Sequence, residues 1–132
     1  MPEHLIADIP VKALIRNADK ILLVQQNDGR EDWVLPGGRL NTAEQPREGL
    51  RREIKEEIGA EIYVSELVDC TVFTSKSGLN HFVVVFEATL VGDSQPKPDG
   101  GEIKDMKWVS FDEALKTALR DEYRVIFERL AK

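Results

Sequence analysis

Apolar residues recur along the chain with two different periods, and these periods predict the order of its secondary-structure elements. Short runs rich in Val, Ile and Leu predict β-strands, and they lie at Val11–Arg16, Lys20–Gln26, Ile62–Thr74, His81–Val91 and Ile103–Val109. Turn-forming residues separate the first run from the second and the third from the fourth, so we expect each pair to form an antiparallel hairpin. A shorter extended segment is expected at Trp33–Leu35.

Three other segments repeat their apolar residues every three to four positions, which predicts amphipathic helices. They are Pro46–Ile58, Asp112–Leu119 and Asp121–Leu130. The first of them, the central helix, begins with a proline, which suits a first helical position, and Gly59 follows it as a candidate left-handed C-cap. Its apolar stripe consists of Leu50, Ile54 and Ile58. Strands before and after a central helix fit an α/β sandwich in which a mixed sheet lies between helices.

The polar face of the central helix carries three carboxylates that should stand close together. Glu53, Glu56 and Glu57 occupy positions i, i+3 and i+4, where Cβ atoms lie about 5–6 Å apart. Like charges at this spacing repel one another, so we expect a cation among them. Oxygen ligands suit Mg²⁺ or Mn²⁺, and Mg²⁺ in proteins commonly shares its coordination with substrate phosphates. This face therefore predicts a site for a divalent metal ion and a phosphate-containing substrate.

An ordinary solvated helix is the alternative interpretation of this charged segment, because alternating Arg and Glu favour both helix formation and solubility. The preceding loop, Trp33 to Gly38, favours the functional interpretation. Its paired glycines, Gly37 and Gly38, allow the backbone to approach a ligand closely and to offer carbonyl or amide groups to it. A solvated helix requires no such loop, and we therefore interpret the loop and the helix together as one site.

The segment from Gly38 to Ala60 fits the pattern G-x5-E-x7-R-E-U-x-E-E-x-G-U, in which U is an aliphatic residue, at every fixed place. It resembles the Nudix box of the Nudix hydrolases. The resemblance implies the Nudix fold, an α/β/α sandwich with a mixed β-sheet and with the box helix between the loop and the core. It also implies a metal-dependent pyrophosphohydrolase, which uses Mg²⁺ or Mn²⁺ and water to cleave a nucleoside diphosphate linked to another moiety.

The resemblance further implies roles for the acidic residues of the box. Glu56 and Glu57 are the expected direct metal ligands, and Glu53 is either a further ligand or the base that activates water. The carbonyl group of Gly37 or of Gly38 is expected to complete the coordination sphere of the metal ion.

Three further residues are expected to support the reaction. By the same resemblance, Glu44 and Arg52 would orient the metal ligands, and Arg52 lies four residues before Glu56, close enough to pair with it. The general base lies either in the box or on a loop elsewhere in the fold. Glu102, which follows a Gly-Gly turn, is the candidate outside the box. A solvated loop acid is the alternative interpretation of Glu102.

The substrate class is less sharply defined. Our first expectation is a nucleoside triphosphate, hydrolysed to a monophosphate and pyrophosphate as in mutator-protection enzymes, because the chain is short. ADP-ribose, nucleotide sugars and dinucleoside polyphosphates are the alternatives, as is a non-catalytic module that only binds a nucleotide. The candidate substrate-binding residues are Arg39 for phosphate, Trp33 for stacking on a base, and Gly37 for its backbone groups.

Two positions depart from the commonest form of the box. Gln45 stands where a helix-capping serine is frequent, and its longer side chain is a poorer N-cap. Gly49 stands where alanine is frequent, and we expect it to destabilise the helix by up to about 1 kcal/mol. Neither residue is a proposed metal ligand.

The composition and the net charge limit the kinds of partner that we expect. The 132 residues fit one domain, 1–132, and 42% hydrophobic with 32% charged residues is ordinary for a globular protein. A net charge of −6 argues against a nucleic-acid binder. The expected partner is therefore a small-molecule nucleoside diphosphate derivative, and a homodimer is compatible with the sequence.

The cysteine content and the hydropathy of the chain bear on its compartment. Cys70 is the only cysteine, so no intrachain disulfide can form. It lies between two valines in an apolar run, and we expect it to be a buried core residue. No apolar run is long enough to cross a bilayer, and we expect a cytoplasmic protein without a membrane partner.

Overall fold

A computed structural model describes residues 3–132. This part of the chain forms six strands and three helices: β1 (Pro10–Asn17), β2 (Lys20–Gln26), β3 (Gly37–Arg39), α1 (Pro46–Ile58), β4 (Ile62–Thr74), β5 (Asn80–Leu90), β6 (Ile103–Ser110), α2 (Phe111–Lys116) and α3 (Asp121–Leu130). The predicted helices and long strands are therefore confirmed in type and order. The helix α2 is shorter than predicted, Phe111–Lys116 rather than Asp112–Leu119, and the short strand β3 was not predicted. The predicted extended segment Trp33–Leu35 makes isolated bridges, at Trp33 and Val34, and is not a full strand. The ends of β1, β5 and β6 differ from the prediction by at most one residue.

All six strands belong to one mixed sheet with the order β4-β5-β1-β2-β6, and β3 pairs with β1. The pairs β1–β2 and β4–β5 are antiparallel, as the turn sequences predict. Strand β1 runs parallel to β5, which makes the sheet mixed. The predicted α/β fold with a mixed sheet is thus confirmed.

Strand β1 shares one of its edges between two partners, and this arrangement positions the glycine loop. β2 pairs with β1 only at Arg16 and Asn17. β3 takes the other end of the same edge, where it pairs with Pro10, Val11 and Lys12. Helix α1 packs against both β3 and β1. The Gly-Gly loop is therefore held between the centre of the sheet and the polar face of α1.

The core is covered on both sides of the central strands. Consecutive residues of β1 and β2 are buried, although successive side chains in a strand point to opposite faces. The predicted apolar stripe of α1, formed by Leu50, Ile54 and Ile58, is also buried. Within residues 3–132, no helix combines the length and the apolar composition that a bilayer crossing requires.

The ends of α1 match the sequence analysis, whereas Cys70 does not. Gly59 adopts the left-handed conformation with φ 64° and caps the helix with a backbone bond to Lys55. Gln45 makes no side-chain capping bond. The prediction that Cys70 is a core residue is wrong, because its side chain is exposed on β4, whose residues alternate between partly buried and exposed from Asp69 onward.

Gly49 has a packing role in addition to its expected cost to the helix. A Cβ atom at this position would lie 2.8 Å from Glu44 Oε1 and closer still to Leu40 Cδ2. The absence of a side chain lets the loop that carries Glu44 pack directly on α1.

Replacing Gly49 with Ala is therefore expected to destabilise the protein, whereas Gly→Ala in an open helix stabilises by roughly 1 kcal/mol. Urea denaturation of Gly49→Ala would measure the difference in free energy of unfolding. A gain in stability would show that a side chain at position 49 is not crowded by Leu40 and Glu44. Glu48→Ala, at the exposed neighbouring position, is the control for helix propensity alone.

Candidate active site

A cleft of about 660 Å³ opens where the glycine loop, α1, the start of α3 and the ends of several strands meet. Its wall includes six residues that the sequence analysis selected: Gly37, Gly38, Arg39, Glu53, Glu57 and Glu102. Glu102 lies far from the box in sequence, just before β6, and the fold brings it to the same cleft. Its charge acts on Glu57, whose pKa it helps to raise.

Four other selected residues lie outside the cleft lining. Glu44, Arg52 and Glu56 lie beside it and interact with one another. Trp33 packs against the core, and Lys107 Nζ stands 4.3 Å from the centroid of its ring. The structure therefore does not bring Trp33 to a place where it could stack on a ligand in this cleft.

Arg52 joins three carboxylates. It donates to both carboxylate oxygens of Glu44, at 2.6 and 2.8 Å. Its Nη1 donates to Glu53 Oε1 at 2.9 Å and to Glu56 Oε2 at 3.1 Å. These bonds lower the pKa of Glu44 to about 2, with a further contribution from the Asn41 backbone amide. Arg52 thus offsets part of the negative charge of the acidic face and orients Glu53, whose carboxylate also lies against Gly38.

Glu57 is the buried member of the acidic face, with only 4% of its surface exposed. Its Oε1 accepts a hydrogen bond from the Gly37 backbone N–H at 3.2 Å. Burial raises the pKa of Glu57 to about 7, against the opposing charge of Lys12. Glu56, by contrast, is 61% exposed. The three carboxylates of the helix therefore differ in environment, although they share one face.

Lys12 is a functional candidate that the sequence analysis missed. Its side chain is 5% exposed, and its Nζ donates to the Gly37 carbonyl at 3.0 Å. Burial alone would lower the pKa of Lys12, but Tyr123 and Glu57 beside it outweigh this effect and the net pKa is raised. A lysine inside the apolar run of β1 is the signal that could have found it.

The two loop glycines present their carbonyl groups in opposite directions. Two residues to either side of Gly38, the Pro36 carbonyl accepts a hydrogen bond from the Ala13 N–H of β1, and the Leu40 N–H donates to the Ile9 carbonyl, just before β1. Antiparallel ladders alternate bonded and non-bonded pairs, so the Gly38 carbonyl also points at β1. The Gly37 carbonyl points away from the ladder, toward Lys12. Gly37, with φ 138°, is thus the glycine whose carbonyl faces the cleft.

Another part of the cleft lining combines an aromatic pair with charged groups. The rings of Phe73 and His81 are stacked, with their centroids 6.3 Å apart. His81 Nδ1 shares a hydrogen bond with Asp8, and Arg39 Nε pairs with the other oxygen of Asp8 at 3.2 Å. Arg39 is 74% exposed, so its charge remains accessible to a ligand.

The third wall is polar and was also missed by the sequence analysis. Arg120 is held by Gln26, Asp28 and Asp32 through bonds of 2.8 to 3.2 Å. Among the described residues, Glu122 Oε1 is the buried side-chain atom without a hydrogen-bond partner, and burial raises the pKa of Glu122. No local pattern marks these residues, because they meet only through contacts between distant segments.

The donor set suits a hard divalent cation. Carboxylates of Glu53, Glu57 and Glu102 and the Gly37 carbonyl supply oxygen atoms at the cleft, and oxygen ligands favour Mg²⁺ and Mn²⁺. Within residues 3–132, these acids are not gathered around one point as a preformed metal cage. A cation would offset the buried charge of Glu57 and reduce the mutual repulsion of the acids.

Comparison with known proteins identifies the family. Residues 8–130 match the family model of the NUDIX domain. The chain belongs to the Nudix hydrolase family. Nudix hydrolases are pyrophosphohydrolases that act on phosphoric anhydride bonds, and they generally need divalent metal ions. The fold and function that the box implies are thereby confirmed at the level of the family.

Relatives of this Nudix hydrolase include enzymes named for nucleotide substrates. It is 31% identical over 112 residues to the CTP pyrophosphohydrolase of Escherichia coli strain K12, which covers 83% of this chain and 80% of the relative. It is 37% identical over 62 residues to the nucleoside triphosphatase NudI of Escherichia coli, which covers 44% of each chain. The crystal structure of a MutT protein from Methanosarcina mazei superposes with a TM-score of 0.79 at 29% identity, covering 93% of this chain and 91% of that one.

Proposed function

We propose that this Nudix hydrolase cleaves a nucleoside triphosphate to a monophosphate and pyrophosphate. The observation that carries the proposal is one cleft whose lining combines an acidic wall, formed by Glu53 and Glu57 of α1, with the aromatic rings of Phe73 and His81 and the guanidinium of Arg39. Its volume of about 660 Å³ lies within the range of small-molecule sites. The names of the CTP pyrophosphohydrolase and of NudI support a triphosphate substrate.

The acidic wall would hold the metal ion. We assign Glu53 and Glu57 as ligands with the Gly37 carbonyl, and Glu56 as a ligand on the exposed side of the same helix face. When bound, Mg²⁺ or Mn²⁺ supplies charge stabilisation for the phosphates and acidifies water. Arg52 and Glu44 keep the carboxylates in place, because Arg52 donates to Glu44, Glu53 and Glu56.

Glu102 is assigned as the general base. Its side chain lines the cleft and its charge acts on Glu57, which places it near the acidic wall. It is exposed, so it can take a proton from water and release it to solvent. A positioned carboxylate of this kind contributes roughly 10²- to 10⁴-fold to a hydrolysis rate.

The aromatic and cationic residues of the lining would bind the nucleoside and the outer phosphates. Phe73 and His81 offer a stacked aromatic surface to a base, and this role replaces the one predicted for Trp33. Arg39 offers an accessible guanidinium to phosphate. The net charge of −6 favours free nucleotides over nucleic acid as substrates.

The test is product release from a panel of nucleoside triphosphates, ADP-ribose, nucleotide sugars and dinucleoside polyphosphates, each with Mg²⁺, Mn²⁺ or EDTA. Metal-dependent release of pyrophosphate from triphosphates alone is the expected result. Preferential turnover of ADP-ribose, a nucleotide sugar or a dinucleoside polyphosphate would replace the proposed substrate with that class. Nucleotide binding without any turnover would indicate a non-catalytic binding module.

A further inference from the structure

Lys12 places a positive charge inside the catalytic cleft, on the central strand of the sheet. It lines the cleft and is nevertheless almost fully buried. An ammonium group removed from water is strongly unfavourable unless other groups compensate it. The groups that compensate this buried charge therefore indicate the role of Lys12 in the cleft.

Tyr123 is the largest of these compensating groups, and the others belong to the proposed metal site. Lys12 Nζ donates to the carbonyl of Gly37 at 3.0 Å, and the N–H of Gly37 donates to Glu57 at 3.2 Å. The charges of Glu57 and Glu53 both act on Lys12. The ammonium group is thus bonded to the loop carbonyl that faces the cleft and lies within electrostatic reach of two proposed metal ligands.

We propose that the Lys12 ammonium is a built-in cation of the catalytic centre, which holds the Gly37 carbonyl through a hydrogen bond, offsets part of the charge of Glu57 and thereby weakens the binding of a divalent ion. The inference rests on the metal site assigned under the proposed function. Cations a few ångströms apart repel strongly in a partly buried site, by more than enough to change binding tenfold. A divalent ion at this site therefore binds against the repulsion of the Lys12 charge.

A purely structural tether is the competing role, in which only the hydrogen bond to Gly37 matters. A variant that lacks the charge but keeps a hydrogen-bond donor distinguishes the two roles. Lys12→Gln retains an N–H donor without a charge, Lys12→Met removes both, and Lys12→Arg keeps the charge. Lys104→Met is the matched control, because Lys104 is exposed on β6 and its loss changes the net charge equally.

The experiment measures Mn²⁺ binding to each substrate-free protein by electron paramagnetic resonance and titration calorimetry, with circular dichroism to establish folding. Lys12→Gln and Lys12→Met are expected to bind Mn²⁺ at least tenfold more tightly than the wild type. Lys12→Arg and Lys104→Met should resemble the wild type. If Lys12→Met does not fold, Lys12→Gln decides the question.

Unchanged Mn²⁺ affinity in folded Lys12→Gln would overturn the built-in cation and leave Lys12 as a tether. A different result would count against the proposed metal site itself. If the wild type and every variant bind no Mn²⁺, with or without a nonhydrolysable nucleoside triphosphate, the ligand assignment falls together with the inference.

Discussion

Replacing Glu57 with Gln is expected to lower kcat by at least about 100-fold, because loss of groups that merely support metal ligands already costs roughly 10- to 100-fold. Gln keeps an oxygen that can accept the Gly37 N–H bond, but it lacks the negative charge that a divalent ion requires. The measurement is steady-state turnover of the best triphosphate of the panel at saturating Mg²⁺ or Mn²⁺.

The folded structure should survive this change. Burial disfavours the charged form of the Glu57 carboxylate. Gln fills the same volume without a charge, so it avoids the free-energy cost of burying one. The same change removes part of the charge that compensates buried Lys12, so the two effects oppose each other and the melting temperature in EDTA is expected to change little. Glu48→Gln, an exposed acid on the same helix, is the matched control and should keep full activity. Full activity of Glu57→Gln with an unchanged melting temperature would refute the assignment of Glu57 as a ligand.

Replacing Arg52 with Met is expected to reduce kcat/KM by about 10- to 100-fold and to lower the melting temperature. Four hydrogen bonds to Glu44, Glu53 and Glu56 are lost, and three neighbouring carboxylates are left to repel one another. Arg52→Lys should recover only part of the activity, because an ammonium group cannot reproduce the bidentate pair with Glu44.

The stability effect of Arg52 has a defined pH dependence. The pKa of Glu44 is lowered from about 4.5 to about 2, chiefly by its hydrogen bonds to Arg52. A lowered carboxyl pKa stabilises the folded state above the ordinary pKa, and this contribution disappears as the pH falls through the lowered value. The stability gap between wild type and Arg52→Met should therefore narrow between about pH 4.5 and pH 2.

Urea denaturation across that pH range checks the prediction. Arg51→Met, at the exposed neighbouring position of the same helix, is the control for the loss of one positive charge. A gap that stays constant down to pH 2, or an equal effect of Arg51→Met, would show that Arg52 acts through general electrostatics and not through Glu44.

Local patterns predicted most of the secondary structure. The central helix was predicted with the observed bounds, Pro46–Ile58, because its apolar stripe, its first-turn proline and its C-cap at Gly59 act within a few residues of one another. Strands β2 and β4 were also predicted with their observed bounds. Strand β3 was missed, because three residues with two glycines carry no periodic signal and become a strand only through pairing with β1.

The sequence by itself determined that Glu53, Glu56 and Glu57 share one helix face and that a glycine loop precedes them, since helix periodicity and turn chemistry act locally. The tertiary structure decided which of these groups reach the cleft. It buried Glu57, left Glu56 exposed, and brought Lys12 and Glu102 to the same site. These placements depend on strand pairing and packing between segments far apart in the chain. No local sequence pattern indicates which distant residues will come into contact.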